Sequence, residues 1–192
     1  MVRTGFNLRI VPRKKYGIEL LLGTELNIMN VRGETDLPDS VLERLDIAIA
    51  SIHMPCFKAE RTIDNVTAAY EKVMEHPYVD IIGHPDDGRF PVDMKRLVKK
   101  AKETGTLLEV NNSSLRSEGF RENTKENCLE MVKECKAHGV MIVLGSDSHV
   151  DADIAEYPYA EEILRETDFP EELVANVSLE KLKACIKHGK KL

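Results

Sequence analysis

The chain reads as an α/β protein built on parallel strands, a sheet or barrel whose chemistry collects where the strands end. Three observations predict this. In residues 140–149, VMIVLGSDSH, five consecutive apolar side chains are followed, past Gly145, by Asp147 and His149; such an unbroken run belongs to a strand buried on both faces. The same grammar recurs upstream: ELLLGTELN ends near Glu25, DIAIASIH at His53, VDIIGH at His84, and TLLEVNN at Asn111 and Asn112. Segments of helical spacing separate these runs, and strands alternating with helices make parallel architectures with their sites at the carboxyl edge.

Taken in order, residues 1–17 carry Gly5, Pro12 and Gly17, lack periodicity and read as a basic connector. A first strand is expected over 18–28, then a turn at 30–34 where Gly33 suits a hairpin-like reversal. A short helix follows over 37–44, capped by Asp39 or Ser40, and a second strand over 46–52. Beyond the loop 53–57, Val66, Ala69, Tyr70, Val73 and Met74 form one apolar stripe on a helix from about 62 to 75, which Pro77 stops. A strand over 79–83 reaches His84 and the turn formers Pro85, Asp86, Asp87 and Gly88. Asp93 is placed to cap a helix that turns Met94, Leu97, Val98 and Ala101 inward and stops at Gly105. A strand over 106–110 and a polar loop, 113–123, come next. The helix starting at Thr124 buries Cys128, Met131, Val132 and Cys135 and ends at Gly139, ahead of the 140–144 strand. Helices over 155–166 and 179–187 close the chain, the last capped by Ser178 and ended by Gly189.

Composition narrows the function. At 192 residues, 42% hydrophobic and 31% charged, the chain can bury a substantial core, and one domain over 1–192 is the simplest count. A formal net charge of -6 disfavours non-specific nucleic-acid binding, which needs a basic face to displace phosphate counterions. The first 15 residues are basic but show no apolar signal region, and no run approaches the ~20 apolar residues of a membrane span. Cys56, Cys128, Cys135 and Cys185 form no CxxC pair. A cytoplasmic location is expected.

Glu25, His53, His84, Asp147 and His149 are two carboxylates and three imidazoles, a donor set suited to Zn2+, Mn2+ or Fe2+. A lone histidine after a strand is ordinarily a hydrogen-bonded loop residue, and Asp147 alone could cap a turn; five coincident strand ends favour one shared site. Ions held there would lower the pKa of a bound water and clamp the oxygens of a phosphate ester. Asn111 is expected to orient ligands or substrate, and Glu109 lies on the same strand face two residues earlier. Arg89 and Arg116, in loops after strand ends, are candidates to hold phosphate bidentately. His76, His138 and His188 sit at helix ends and read as dipole partners.

Around these residues GTELNI, ASIHMP, IIGHPDD, LEVNNSS and GSDSH resemble the PHP domain, named for polymerase and histidinol phosphatase, and most nearly its stand-alone bacterial phosphatases with three zinc ions. The resemblance implies a distorted (β/α)7 barrel with metals at its carboxyl rim. It would make Glu25 the carboxylate bridging two ions, His53 and His84 the other ligands of the second, Asp147 a ligand of the first and His149 of the third. The family's opening HxH pair and its TDH-like motif do not occur before Glu25, so the chain reads as lacking the first two βα units. A barrel without them would have open edges able to associate with another chain. The implied activity is hydrolysis of a small phosphate ester by a metal-activated water. A non-catalytic fragment acting as a metal-binding or structural module is the alternative, and an amidohydrolase on a similar barrel a third.

Overall fold

The structure, a computed structural model, describes residues 11–15 and 17–187. Lys14–Lys15 (β1) and Ile18–Glu19 (β2) pair as a short antiparallel hairpin. Gly23–Asn27 (β3), Ile47–Ser51 (β4), Ile81–Ile82 (β5), Leu107–Asn111 (β6) and Ile142–Gly145 (β7) form one parallel sheet in sequence order. The expected 18–28 strand is therefore two strands. Between them Leu20 N–H is taken by the Arg13 carbonyl and Leu22 N–H by the Asp46 carboxylate at 2.7 Å, which Arg13 also engages.

Among the described residues six helices connect and cover these strands: Asp39–Leu42 (α1), Ile63–Val73 (α2), Met94–Thr104 (α3), Thr124–His138 (α4), Pro158–Glu166 (α5) and Leu179–Cys185 (α6). Their ends follow local chemistry. Thr62, Asp93 and Ser178 each accept the backbone N–H three residues on, at 3.3, 3.1 and 3.2 Å, satisfying donors that a helix start leaves orphaned. Gly105 and Gly139 end α3 and α4 with φ of 67° and 65°, a conformation that costs glycine little. Two expectations need correction. Pro38, not Asp39 or Ser40, is the N-cap of α1, and α5 starts at Pro158 rather than 155. A 3-10 turn occupies Asp151–Asp153, and proline suits a first helical position because it has no N–H to lose. His188 and Gly189 lie outside the described residues.

The alternation of side chains splits the sheet into two apolar faces. Leu26, Ala48, Ala50, Ile82, Leu108, Val110 and Ile142 face a core shared with α2, α3, α4 and α5. Ile47, Ile49, Ile81, Leu107 and Val143 point the other way, against Ala175, Leu182 and Ile186. By register, Glu25 pairs with Ile49, Glu109 with Val143 and Asn111 with Gly145. The second face, apolar at its amino-terminal end, thus becomes polar toward the carboxyl ends of the strands. At the β7 edge, Asn176 accepts Leu144 N–H and donates to Leu144 C=O, both at 3.0 Å, occupying backbone groups that a further strand would use. Among the described residues β3 forms the opposite edge of the sheet, without pairing to β7.

Candidate metal centre

Three of the sequence-selected residues converge at the carboxyl edge. Glu25 projects from β3, and His53 and His84 lie two residues beyond β4 and β5. His84 Nε2 stands 3.1 Å from Glu25 Oε1 and 3.2 Å from His53 Nε2, and His53 Nε2 stands 3.4 Å from the same carboxylate oxygen. Glu25 is 43% exposed, His53 33% and His84 3%, so the cluster is anchored on a buried imidazole and opens toward Glu25. The two imidazoles beside it, His53 first, hold the Glu25 carboxyl well below the usual carboxylate range.

The donor set fits a divalent ion. Zinc bonds of roughly 2.0–2.1 Å to nitrogen and oxygen in tetrahedral arrangement place ligand atoms about 3.3 Å apart, the spacing this trio has. The support behind His53 fits as well. Its Nδ1 donates to Asn27 Oδ1 at 2.8 Å, and Asn27 donates its backbone and side-chain N–H groups to Asp36 at 3.0 and 2.6 Å. With Nδ1–H held by Asn27, Nε2 is the ring nitrogen turned toward Glu25 and His84, the arrangement by which a ligating histidine is oriented.

Asp147 and His149 stand apart from the trio. Asp147, with φ of 50°, accepts from Arg121 at 3.3 Å and from Asn111 Nδ2 at 3.3 Å. His149 is 86% exposed, with Nδ1 3.0 Å from the Asp147 carbonyl. Both line, with Glu25, His53, Arg116 and Arg121, a cleft of about 550 Å3. Arg116 is paired with Asp153 at 2.8 Å. Arg89 forms a two-pronged contact with Asp87, at 2.9 and 2.5 Å, and borders a separate depression with Met54, Arg61 and Glu122. Asn111 receives Ser114 N–H at 2.8 Å and the Arg121 guanidinium at 3.3 Å.

Arg121 was not singled out by sequence, yet only 9% of its side chain is exposed and it joins Asn111, Ser114 and Asp147. No local spacing marks it, because its partners lie on β6, its following loop and the segment after β7. Asn27 escaped for the same reason: its contacts cross from β3 to the loops carrying Asp36 and His53. Asp86, read only as a turn residue, is buried, and burial pushes its carboxyl up to about 7.

The fold and site together define an α/β protein that gathers a metal-competent carboxylate and two imidazoles at the carboxyl edge of a parallel sheet. Among curated proteins the chain is 46% identical over 187 residues to a probable phosphatase of Clostridium novyi (strain NT), covering 97% of this chain and 75% of that one. It is 41% identical over 184 residues to a probable phosphatase of Acetivibrio thermocellus and 40% over 185 to one of Thermoanaerobacter sp. (strain X514), each covering 96% of this chain and 75% of the relative. The chain belongs to this family of bacterial proteins named probable phosphatases. A crystal structure of histidinol phosphate phosphatase from Lactococcus lactis subsp. lactis, in complex with zinc, L-histidinol and phosphate, aligns with a TM-score of 0.48 at 14% identity, over 69% of this chain and 61% of that one. No family model matches the chain. No helix among the described residues is long and apolar enough to cross a membrane.

Proposed function

We propose that the protein is a cytoplasmic, metal-dependent phosphatase of the PHP class that hydrolyses small phosphomonoesters, with residues 1–192 forming one domain of a barrel-type fold. The observation that carries this reading is the convergence of Glu25, His53 and His84 with ligand-like separations, in a chain whose relatives are named probable phosphatases. Zinc, or alternatively manganese or iron, would be held by these three residues, with Asp147 and His149 available for further ions. A divalent ion there supplies Lewis acidity and a water acidified toward neutrality.

The remaining work falls to the chain itself. Glu25, kept ionised by its two imidazole neighbours, neutralises positive charge at the mouth of the cleft. Arg116 and Arg121 border the same cleft, where guanidinium groups can grip phosphoryl oxygens in pairs and stabilise the charge that builds on them during displacement. Ser114 and Asn111 hold Arg121 in place, Ser114 Oγ at 2.7 Å. Arg89, committed to Asp87, would act on substrate only by exchanging that partner. The Arg121–Asp147 pair favours a second reading, in which the guanidinium takes the place of an additional cation beside a single ion. Metal analysis with a phosphomonoester panel tests the proposal: zinc in the purified protein and activity lost in His84→Ala support it, whereas absence of bound metal with undiminished activity in His84→Ala overturns it.

A further inference from the structure

One buried carboxylate has no place in the scheme above. Glu109 lies on β6, on the polar face of the sheet, and is 7% exposed. A carboxyl group withdrawn from water is costly unless hydrogen bonds compensate it, and two do. His84 donates its backbone N–H to Glu109 Oε2 at 2.8 Å, and Asn111 Nδ2 approaches the same oxygen at 3.2 Å. Glu109 therefore joins the two halves of the rim, meeting His84 directly and Asp147 and Arg121 through Asn111.

Two further facts mark this placement as built. His84 has φ of 32°, in the left-handed region where a residue bearing a Cβ is strained and must be held by its surroundings. The flanking strands also leave room for the carboxyl group. A Cβ on Gly145 would fall 1.9 Å from Glu109 Oε1, and one on Gly83 would lie 3.5 Å from Oε2 and collide with Ser51 Oγ at 2.3 Å.

We propose that Glu109 is the positioning residue of the centre: by holding the His84 backbone in its left-handed conformation, it aims the buried imidazole at Glu25 and His53. This rests on the metal-site reading above. Glu109 does not line the cleft and meets His84 through the backbone N–H, so its effect passes through His84, and outer partners of this kind tune metal affinity roughly 10–100-fold.

The experiment uses the full chain as wild type, Glu109→Ala, Glu109→Gln and Glu109→Asp. Zinc affinity is read by chelator competition, the ligand field by the absorption spectrum of the cobalt-loaded protein, and the His84 amide by NMR of the metal-free protein. Glu109→Ala should bind zinc about 10–100-fold more weakly, shift the cobalt bands and move the His84 amide proton upfield. Glu109→Gln keeps an oxygen for His84 N–H and should recover most of the affinity and the spectrum, which a merely structural role would not require. Wild-type affinity and spectrum in Glu109→Ala would overturn the inference. Should Glu109→Ala not fold, the shorter Glu109→Asp stands in, and equal behaviour of Glu109→Asp and Glu109→Gln overturns it. A wild type that takes up neither zinc nor cobalt sinks the metal reading; the His84 amide then decides separately, an unmoved resonance in the variants denying that Glu109 holds this backbone.

Discussion

Gly145→Ala is a substitution whose effect should reverse the usual sign. Gly145 has no positive φ that would strain alanine, and replacing glycine at a compatible position commonly stabilises by about 0.4–1 kcal/mol through the unfolded chain. Here the new Cβ would lie 1.9 Å from Glu109 Oε1, 2.9 Å from Cδ and 3.2 Å from Cγ, so the carboxyl group must leave its seat. Overpacking of this kind costs roughly 1–3 kcal/mol. Loss of the Glu109 contact orphans the buried His84 N–H, at roughly 1–3 kcal/mol more. After the gain from the unfolded chain is subtracted, a net destabilisation of about 1–5 kcal/mol is expected in urea unfolding of the metal-free protein. In a Glu109→Ala background the space is vacant, and the same substitution should cost under about 1 kcal/mol, giving a coupling of at least about 1 kcal/mol in the double-mutant cycle. A neutral single variant, or costs that simply add, would refute the steric argument.

Other perturbations separate site from scaffold. Asp93→Ala removes the side-chain cap of α3 and should cost about 1 kcal/mol in thermal unfolding while leaving zinc affinity unchanged. Asn176→Ala strips partners from both backbone groups of Leu144, with an expected loss of about 1–3 kcal/mol in the same assay. Arg121→Met should weaken competitive inhibition by inorganic phosphate roughly tenfold or more, since hydrogen bonds to charged groups contribute about 1.5–3 kcal/mol; unchanged inhibition would remove Arg121 from the phosphoryl site. The buried Asp86 carboxyl binds its proton more tightly in the folded chain, at about 7 against 3.8. Its contribution is therefore fully present below about 3.8 and lost as pH rises through about 7. Asp86→Asn should gain on wild type across that interval, by up to the order of 4 kcal/mol, and a pH-independent difference in stability would count against the burial.

Much of the scaffold was legible because it depends on near neighbours in sequence. Asp93 and Ser178 cap helices through bonds three residues long, and the left-handed glycines 105 and 139 need no tertiary context to be read. The unbroken apolar runs ending in polar groups gave the five parallel strands, since a strand covered on both faces has no polar alternation to show. The break after β2 was hidden because it depends on Asp46, 24 residues from the Leu22 N–H it accepts. Pro38 displaced Asp39 at the start of α1, while Asp39 faces His76 Nε2 at 3.2 Å. At the rim, residue type and strand-end position picked out Glu25, His53 and His84, but sequence held nothing that would pair Arg121 with Asp147 or set Arg89 on Asp87. Glu109 was noticed for sharing a face with Asn111, yet its main partner is a backbone N–H on another strand's loop, and backbone donors carry no residue signature.

The most direct test is zinc content measured alongside hydrolysis of a phosphomonoester, in wild type and in His84→Ala, whose imidazole lies 3.1 Å from Glu25 and 3.2 Å from His53. Zinc bound to the wild type, and zinc and phosphate release lost together in the variant, are the predicted results. A variant that keeps both, or a wild type that releases phosphate with no metal bound after chelation, would contradict the proposal that these three side chains form a catalytic metal centre.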